Sequence, residues 1–323
     1  MGKSSGMLMD AIGGYFELEL RKSEHFHKNA LRFNTARNCF EYILLTRKYT
    51  KVYIPYYTCE VMLQPLQKHG VGYEFYSLND LLEPIEIPEL HHNEAYLYTN
   101  YYGIKQSCVE FLARIYGNQL IVDNAQAFFA PRIDGIDTFY SPRKFLGVPD
   151  GGYLYTDIDL QQDFVVDESY NRMQHLLIRM EAGAEKGYPM FKKADESLDN
   201  QPIHKMSVLT ERILQNADYP YIIKKRKENF SILRQSLSES NKLAIEEDDN
   251  AVPMIYPYLT KDCTLRNRLI ENKIFVATYW QNVFDWCSSD SFEYKLAENM
   301  IPLPIDQRYA QKDIDKILKI IRG

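Results

Sequence analysis

Residues 139–155 read FYSPRKFLGVPDGGYLY. Both ends are apolar and strand-like, Phe139-Tyr140 on one side and Tyr153-Leu154-Tyr155 on the other. Gly151 and Gly152 close a turn before the second strand. The loop between them carries Lys144, flanked by Ser141 and Arg143. Alone, Lys144 reads equally well as a surface loop lysine. It gains meaning from residues 120–127, LIVDNAQA, an apolar run that ends in Asp123 and is followed by Gln126. An amine and a carboxylate thus each stand where a strand gives way to a loop. Asp123 alone reads as a helix-capping acid.

Upstream, residues 31–33 (LRF) form a short strand. Asn34 or Thr35 then serves as N-cap for a helix whose stripe is Phe40, Ile43 and Leu44. A helix opening directly after a strand offers free N–H groups at Thr35, Ala36 and Arg37, an anion site. The plainer interpretation is a capped helix and nothing more. Residues 52–55 form a strand, 56–60 a turn containing Cys59, 61–69 a helix and 71–76 a strand. Residues 95–99 form a strand that runs into Asn100-Tyr101-Tyr102-Gly103, and 107–116 a helix. Alternating strands and helices predict a mostly parallel sheet covered by helices. Such sheets bind ligands beyond the carboxyl ends of their strands, where Asp123, Tyr102 and residues 34–37 fall.

Beyond Thr156 the pattern changes. Residues 168–182 predict a helix, and 183–202, rich in charge, Gly and Pro, an exposed loop. Helical patterns cover 203–214 and 221–237, the latter with a basic run, 224–227, that fits a solvated face. Residues 241–250 form an acidic loop. The tail predicts strand 252–259, helix 264–272, strand 274–278 and helix 311–321. A further short strand is expected at 15–20, in the lead-in formed by residues 1–30. The expected fold class is α/β: a large domain with a mostly parallel sheet, residues 1–202, and linking helices with a smaller C-terminal α+β domain, residues 203–323.

Composition narrows the function. The chain has 323 residues and a net charge of −6, so nucleic acid is not expected as its main partner. Cys39, Cys59, Cys108, Cys263 and Cys287 show no metal spacing and are odd in number, which fits a reduced, cytoplasmic setting. His91-His92 lies in a loop pattern, and no metal site is expected. There is no signal-type apolar segment, and no run approaches the roughly 20 apolar residues of a membrane span.

A pyridoxal phosphate site needs a lysine to hold the aldehyde, a carboxylate to keep the pyridine nitrogen protonated, donors for the phosphate and a flat partner for the ring. Lys144 and Asp123 supply the first two. Residues 35–37 and Ser141 offer phosphate donors, and Gln126 can reach the phenolic oxygen. In these residues the chain resembles the DegT-type sugar-nucleotide aminotransferases of the aspartate-aminotransferase fold (fold type I). The resemblance rests on residues 52–70, 100–103, 121–127 (IVDNAQA), 141–152 and 300–308 (MIPLPIDQR). It implies that Lys144 holds the cofactor and Asp123 faces its ring nitrogen. It further implies a glutamate donor, a nucleotide-linked 4-keto sugar acceptor and a homodimer with the active site at its interface.

There are departures from the family. Cys59 stands where the family usually has an aromatic ring, which leaves stacking to Cys59 with Tyr57 or Tyr102. Ile203-His204-Lys205-Met206 replaces an Asn-Tyr-Arg-Met run that reaches the partner's cofactor phosphate, leaving His204 or Lys205 for that contact. The chain is also short for the family. Two alternatives stay open: another fold-type-I enzyme acting on an amino acid or amine, and a non-catalytic cofactor-binding relative. Residues 279–282 (YWQN) either line the substrate cleft or cap the second domain.

Overall fold

The computed structural model describes residues 12–246, 248 and 250–323. The first half runs β1 (Leu31–Phe33), α1 (Ala36–Arg47), β2 (Lys51–Pro55), α2 (Leu63–Lys68), β3 (Gly72–Tyr76), β4 (Glu94–Thr99), α3 (Gln106–Tyr116), β5 (Leu120–Asn124), β6 (Asp137–Tyr140) and β7 (Gly152–Tyr155). These seven strands form one sheet in the order β1-β7-β6-β5-β4-β2-β3. The pairs from β3 to β6 are parallel, and β7 runs antiparallel to both β6 and β1.

Both faces of the sheet are buried, as a parallel sheet requires. Ala95, Leu97, Ile121, Phe139 and Leu154 point to the side where α1 packs with Phe40, Ile43 and Leu44. Tyr96, Tyr98, Val122, Tyr140 and Tyr153 point the other way, towards the core that holds Val109 and Leu112 of α3. Burying each large side chain of α1 contributes about 1.5–3 kcal/mol, which outweighs that helix's weak intrinsic propensity. Thr35 caps α1 with its side chain, accepting the Asn38 N–H at 3.0 Å. At the other end, Arg47 donates two bonds to Asp137, at 2.8 and 2.9 Å, fixing α1 to the start of β6.

The second half runs α4 (Gln174–Ala182), α5 (Ala184–Glu196), α6 (Val208–Gln215), α7 (Tyr219–Leu237), β8 (Ile255–Leu259), α8 (Leu265–Glu271), α9 (Val283–Trp286), α10 (Phe292–Asn299), β9 (Met300–Pro304) and α11 (Gln311–Arg322). β8 and β9 pair antiparallel. They share a core with α7, α8 and α11, built from Leu233, Tyr256, Leu269, Leu303, Ile314 and Ile317.

Three sequence expectations fail. Residues 15–20 pair with no strand among the described residues, and Tyr15 and Phe16 are exposed. Residues 1–11 of the lead-in lie outside the described residues. The segment expected as a loop at 183–202 contains α5, which folds back on α4. Gly187 makes this possible: a Cβ there would lie 3.0 Å from the His175 carbonyl. Good helix formers around Pro189 outweigh its missing N–H. Residues 274–278 form no strand; the partner of β8 is β9. Lys273 turns the chain at φ 61°, and the Ala277 carbonyl accepts from Arg266 instead of a neighbouring strand.

Candidate active site

The carboxyl ends of β5 and β6 carry the two residues at the centre of the sequence pattern. Asp123 is buried. Its Oδ1 accepts the Ala125 N–H at 2.7 Å and its Oδ2 faces the Thr99 hydroxyl at 3.5 Å. Burial pushes its carboxyl above the usual range, opposed by the Lys144 charge and by these two donors. After β6, Ser141 leads into a single tight turn, Pro142–Lys144, closed by the Phe145 N–H on the Pro142 carbonyl at 3.0 Å. Proline suits this position because its fixed φ starts the turn and no N–H is needed there. Lys144 is exposed and has no hydrogen bond or ion pair among the described residues. Its ammonium acts electrostatically on both Asp123 and Cys59.

Gln126 is buried, and its two amide atoms are treated differently. Its Oε1 accepts the Tyr102 N–H at 3.0 Å, while Nε2 has no acceptor. An unmet donor at a buried position is costly unless a ligand supplies the acceptor. Asn124 Oδ1 is likewise unpartnered.

The start of α1 lies against the turn before β7. Gly151 N–H donates to the Asn34 carbonyl at 2.5 Å. A Cβ on Gly152 would lie 2.5 Å from the Thr35 carbonyl, so only glycine allows this approach. The N–H groups of Ala36 and Arg37, in the first turn of α1, have no intrahelical acceptor. The Arg37 guanidinium is directed elsewhere: it donates to Gln64 at 2.5 Å, to the Leu198 carbonyl at 3.1 Å and to Asp199 at 2.9 Å. Arg37 can therefore offer its N–H to an anion here, but its side chain is already engaged.

Cys59 is partly exposed; burial raises its thiol pKa, and the Val61 N–H, Lys144 and Arg37 lower it. Tyr57 and Tyr102 are both fully buried, with their hydroxyls 3.0 Å apart. Their rings are occupied by the second half of the chain: Trp280 meets Tyr57 edge-on at 4.8 Å, and Tyr279 stacks on Tyr102 at 6.4 Å. Asn282 adds a bond to the Thr58 carbonyl at 2.9 Å. Residues 279–282 thus cover the tyrosine pair.

The segment that replaces the family's Asn-Tyr-Arg-Met run lies beside Asn34. The His204 carbonyl accepts the Asn34 N–H at 2.9 Å, and Asn34 Oδ1 accepts the His204 N–H at 3.3 Å. His204 Nδ1 has no hydrogen-bond partner, whereas Lys205 faces Asp163 at 3.4 Å. Sequence reasoning missed Asp150, which is fully buried. It accepts from the Ser207 N–H at 2.9 Å, the Ser207 hydroxyl at 2.7 Å and the Thr210 hydroxyl, anchoring the Gly151-Gly152 turn to the start of α6. An acid directly before two glycines was the available signal.

No family model and no curated protein match the sequence. Solved structures do match, and they show that the chain has the fold of the pyridoxal-phosphate-dependent aminotransferases. The sugar aminotransferase CalS13 from Micromonospora echinospora superposes with a TM-score of 0.64 at 12% identity, over 91% of this chain and 86% of that one. A DegT DnrJ EryC1 StrS aminotransferase from Brucella abortus gives a TM-score of 0.60 at 15% identity, over 91% and 85%. NtdA from Bacillus subtilis, solved with bound cofactor PMP, gives 0.61 at 14% identity, over 91% and 73%.

Proposed function

We propose that the chain is a pyridoxal-phosphate-dependent aminotransferase that moves an amino group from glutamate to a keto sugar, specifically a nucleotide-linked 4-keto sugar. The carrying observation is the juxtaposition of an unpartnered amine, Lys144, with a buried carboxylate, Asp123, at the ends of adjacent parallel strands. The donor set fits the cofactor. Gln126 Nε2 lacks an acceptor, and the first turn of α1 lies beside a glycine that nothing larger can replace. Sugar aminotransferases among the structural neighbours support the choice of substrate class.

When bound, the cofactor supplies an electron-withdrawing ring that stabilises negative charge at the substrate carbon. Lys144 would hold it covalently. Asp123 would hold a proton at its ring nitrogen, a task suited to a buried carboxylate with few other donors. Gln126 Nε2 would donate to its phenolic oxygen. The N–H groups of Ala36 and Arg37, with the Thr35 and Ser141 hydroxyls, would bind its phosphate. Lys144 Nζ would take the proton from the substrate carbon and return it, which is general acid–base work. A cytoplasmic homodimer belongs to the same proposal.

The test is the visible spectrum of the purified protein before and after glutamate. A visible band that bleaches on adding glutamate supports the proposal. A protein that stays colourless even after addition of pyridoxal phosphate overturns it.

A further inference from the structure

The basic run 224–227 departs from the solvated face that its sequence predicts. Lys224 is exposed, but Arg226 is only 2% exposed. At helical spacing it shares the buried stripe of α7 with Ile222, Asn229, Leu233 and Leu237. An arginine buried so deeply is normally paired with an acid. No carboxylate pairs with Arg226 among the described residues. Asp306, whose charge acts on it, is held by Arg308 through two bonds, at 2.7 and 2.9 Å. Burial lowers the Arg226 pKa to about 10, so the guanidinium keeps its charge at neutral pH. It binds backbone instead. One terminal nitrogen donates to the Met254 and Pro253 carbonyls at 2.9 and 3.3 Å. The other donates to the Phe145 carbonyl at 3.4 Å, and the guanidinium lies over the Phe145 ring, 4.5 Å from its centre.

Both anchored stretches lead to the candidate site. Phe145 directly follows Lys144, and its carbonyl takes a second donor, Gln307 Nε2, at 2.9 Å. On the other side, the Met254 N–H donates to the Tyr102 carbonyl at 2.8 Å, and the Tyr102 N–H donates to Gln126 Oε1 at 3.0 Å. That last bond decides which atom of the Gln126 amide is left without a partner. Tyr102 stands at φ 55°, a conformation that a non-glycine residue keeps only where its surroundings impose it. There is no slack beside it: a Cβ on Gly103 would lie 3.2 Å from both the Gln126 and the Val252 carbonyls. One buried cation thus holds two stretches of backbone, one leading to the amine of Lys144 and the other to the amide of Gln126.

We infer that Arg226 is a positioning residue whose planar fork sets the placement of Lys144 relative to Gln126. It touches neither. It acts through Phe145 on one side and through Met254 and Tyr102 on the other. That Lys144 and Gln126 hold the cofactor rests on the amino transfer proposed above; the coupling of their two segments by Arg226 does not.

Two measurements on the full chain test it. The first is amide hydrogen exchange without cofactor. Arg226→Lys keeps a buried charge but lacks the fork that reaches both sides. It should speed exchange at Tyr102 and at Phe145 together, by about tenfold or more, the loss of a hydrogen bond to a charged group. The Asn38 amide, at the start of α1, should not change. The second follows the bleaching of the visible band by glutamate after loading with pyridoxal phosphate. In Arg226→Lys the rate at saturating glutamate should fall by about 10- to 100-fold, the cost of a misplaced reacting group. The half-saturating glutamate concentration should stay within about twofold, which a general loss of structure would not preserve. Gln307→Leu removes only the second donor on the Phe145 carbonyl. It should move both readouts the same way by less, and it carries the test if Arg226→Lys does not fold. Lys224→Gln, on the exposed face of α7, should change neither. Faster exchange at Phe145 with Tyr102 unmoved, or an unchanged bleaching rate in a folded Arg226→Lys chain, overturns the inference. A wild-type chain that stays colourless with pyridoxal phosphate removes the amino-transfer reading, and exchange alone then decides whether Arg226 couples the two segments.

Discussion

The ammonium of Lys144 lies within electrostatic reach of the buried Asp123 carboxylate, although the two stand on different loops. Parallel pairing creates this arrangement: Asp123 is in register with Phe139, so both strands release their chains at the same edge of the sheet. Lys144→Ala should therefore remove both the visible band and turnover. Asp123→Asn should still bind the cofactor but lower kcat by about 10²–10⁴-fold, the usual worth of a positioned proton-holding group. Absorbance and steady-state rates check both; an Asp123→Asn variant with an unchanged rate removes Asp123 from its role.

Gly152→Ala should destabilise the chain by about 1–3 kcal/mol, because the new methyl would meet backbone rather than a side chain that can yield. The displaced start of α1 should also weaken cofactor affinity. Urea midpoints and cofactor titration measure the two effects separately.

The Tyr57–Tyr102 hydroxyl pair gives a sharper test of packing. Tyr102→Phe leaves the buried Tyr57 hydroxyl without its partner and should cost about 1–3 kcal/mol. Adding Tyr57→Phe removes the stranded group and should recover most of that loss. A double-mutant cycle in which the costs simply add would show that the two hydroxyls do not interact.

His27 makes stability depend on pH. Its ring nitrogen Nε2 lies 2.8 Å from the Phe128 carbonyl, which assigns the proton to Nε2 in the neutral form. Burial lowers its pKa from 6.5 to about 4. Above pH 6.5 neither state holds the extra proton, and the full stability is present. Between 6.5 and 4 the unfolded chain takes up a proton that the folded chain refuses, so stability falls as the pH drops. At about 1.4 kcal/mol per pKa unit the loss approaches ~3 kcal/mol at pH 4. His27→Leu should flatten this part of the profile, measured by urea unfolding at pH 7 and pH 5. Equal pH slopes in both proteins would refute it.

Strands β2, β4, β5 and β7 were legible because each is a largely apolar run bounded by turn residues. The placement of Lys144 and Asp123 at strand ends followed from the same pattern. What stayed hidden depends on contacts remote in sequence. α5 looked like a loop because its Gly and Pro suggested turns; only its packing on α4 shows Gly187 as the point of close approach. Residues 274–278 carried strand-like residues, but β8 had a better partner in β9. The engagement of Arg37 by Asp199, and of Tyr57 by Trp280, could not be read locally at all.

β1 pairs with β7 alone within the sheet, and the residue before Thr35 is bonded to Gly151. A chain growing from its amino terminus therefore completes α1 long before the turn that holds its first residues exists. The helix start must wait for the ribosome to deliver the second edge of its own cradle. Nascent chains that stop short of Gly152 should carry the start of α1 unanchored and open to proteases, and those that extend past β7 should not. Such long-range closure also slows folding.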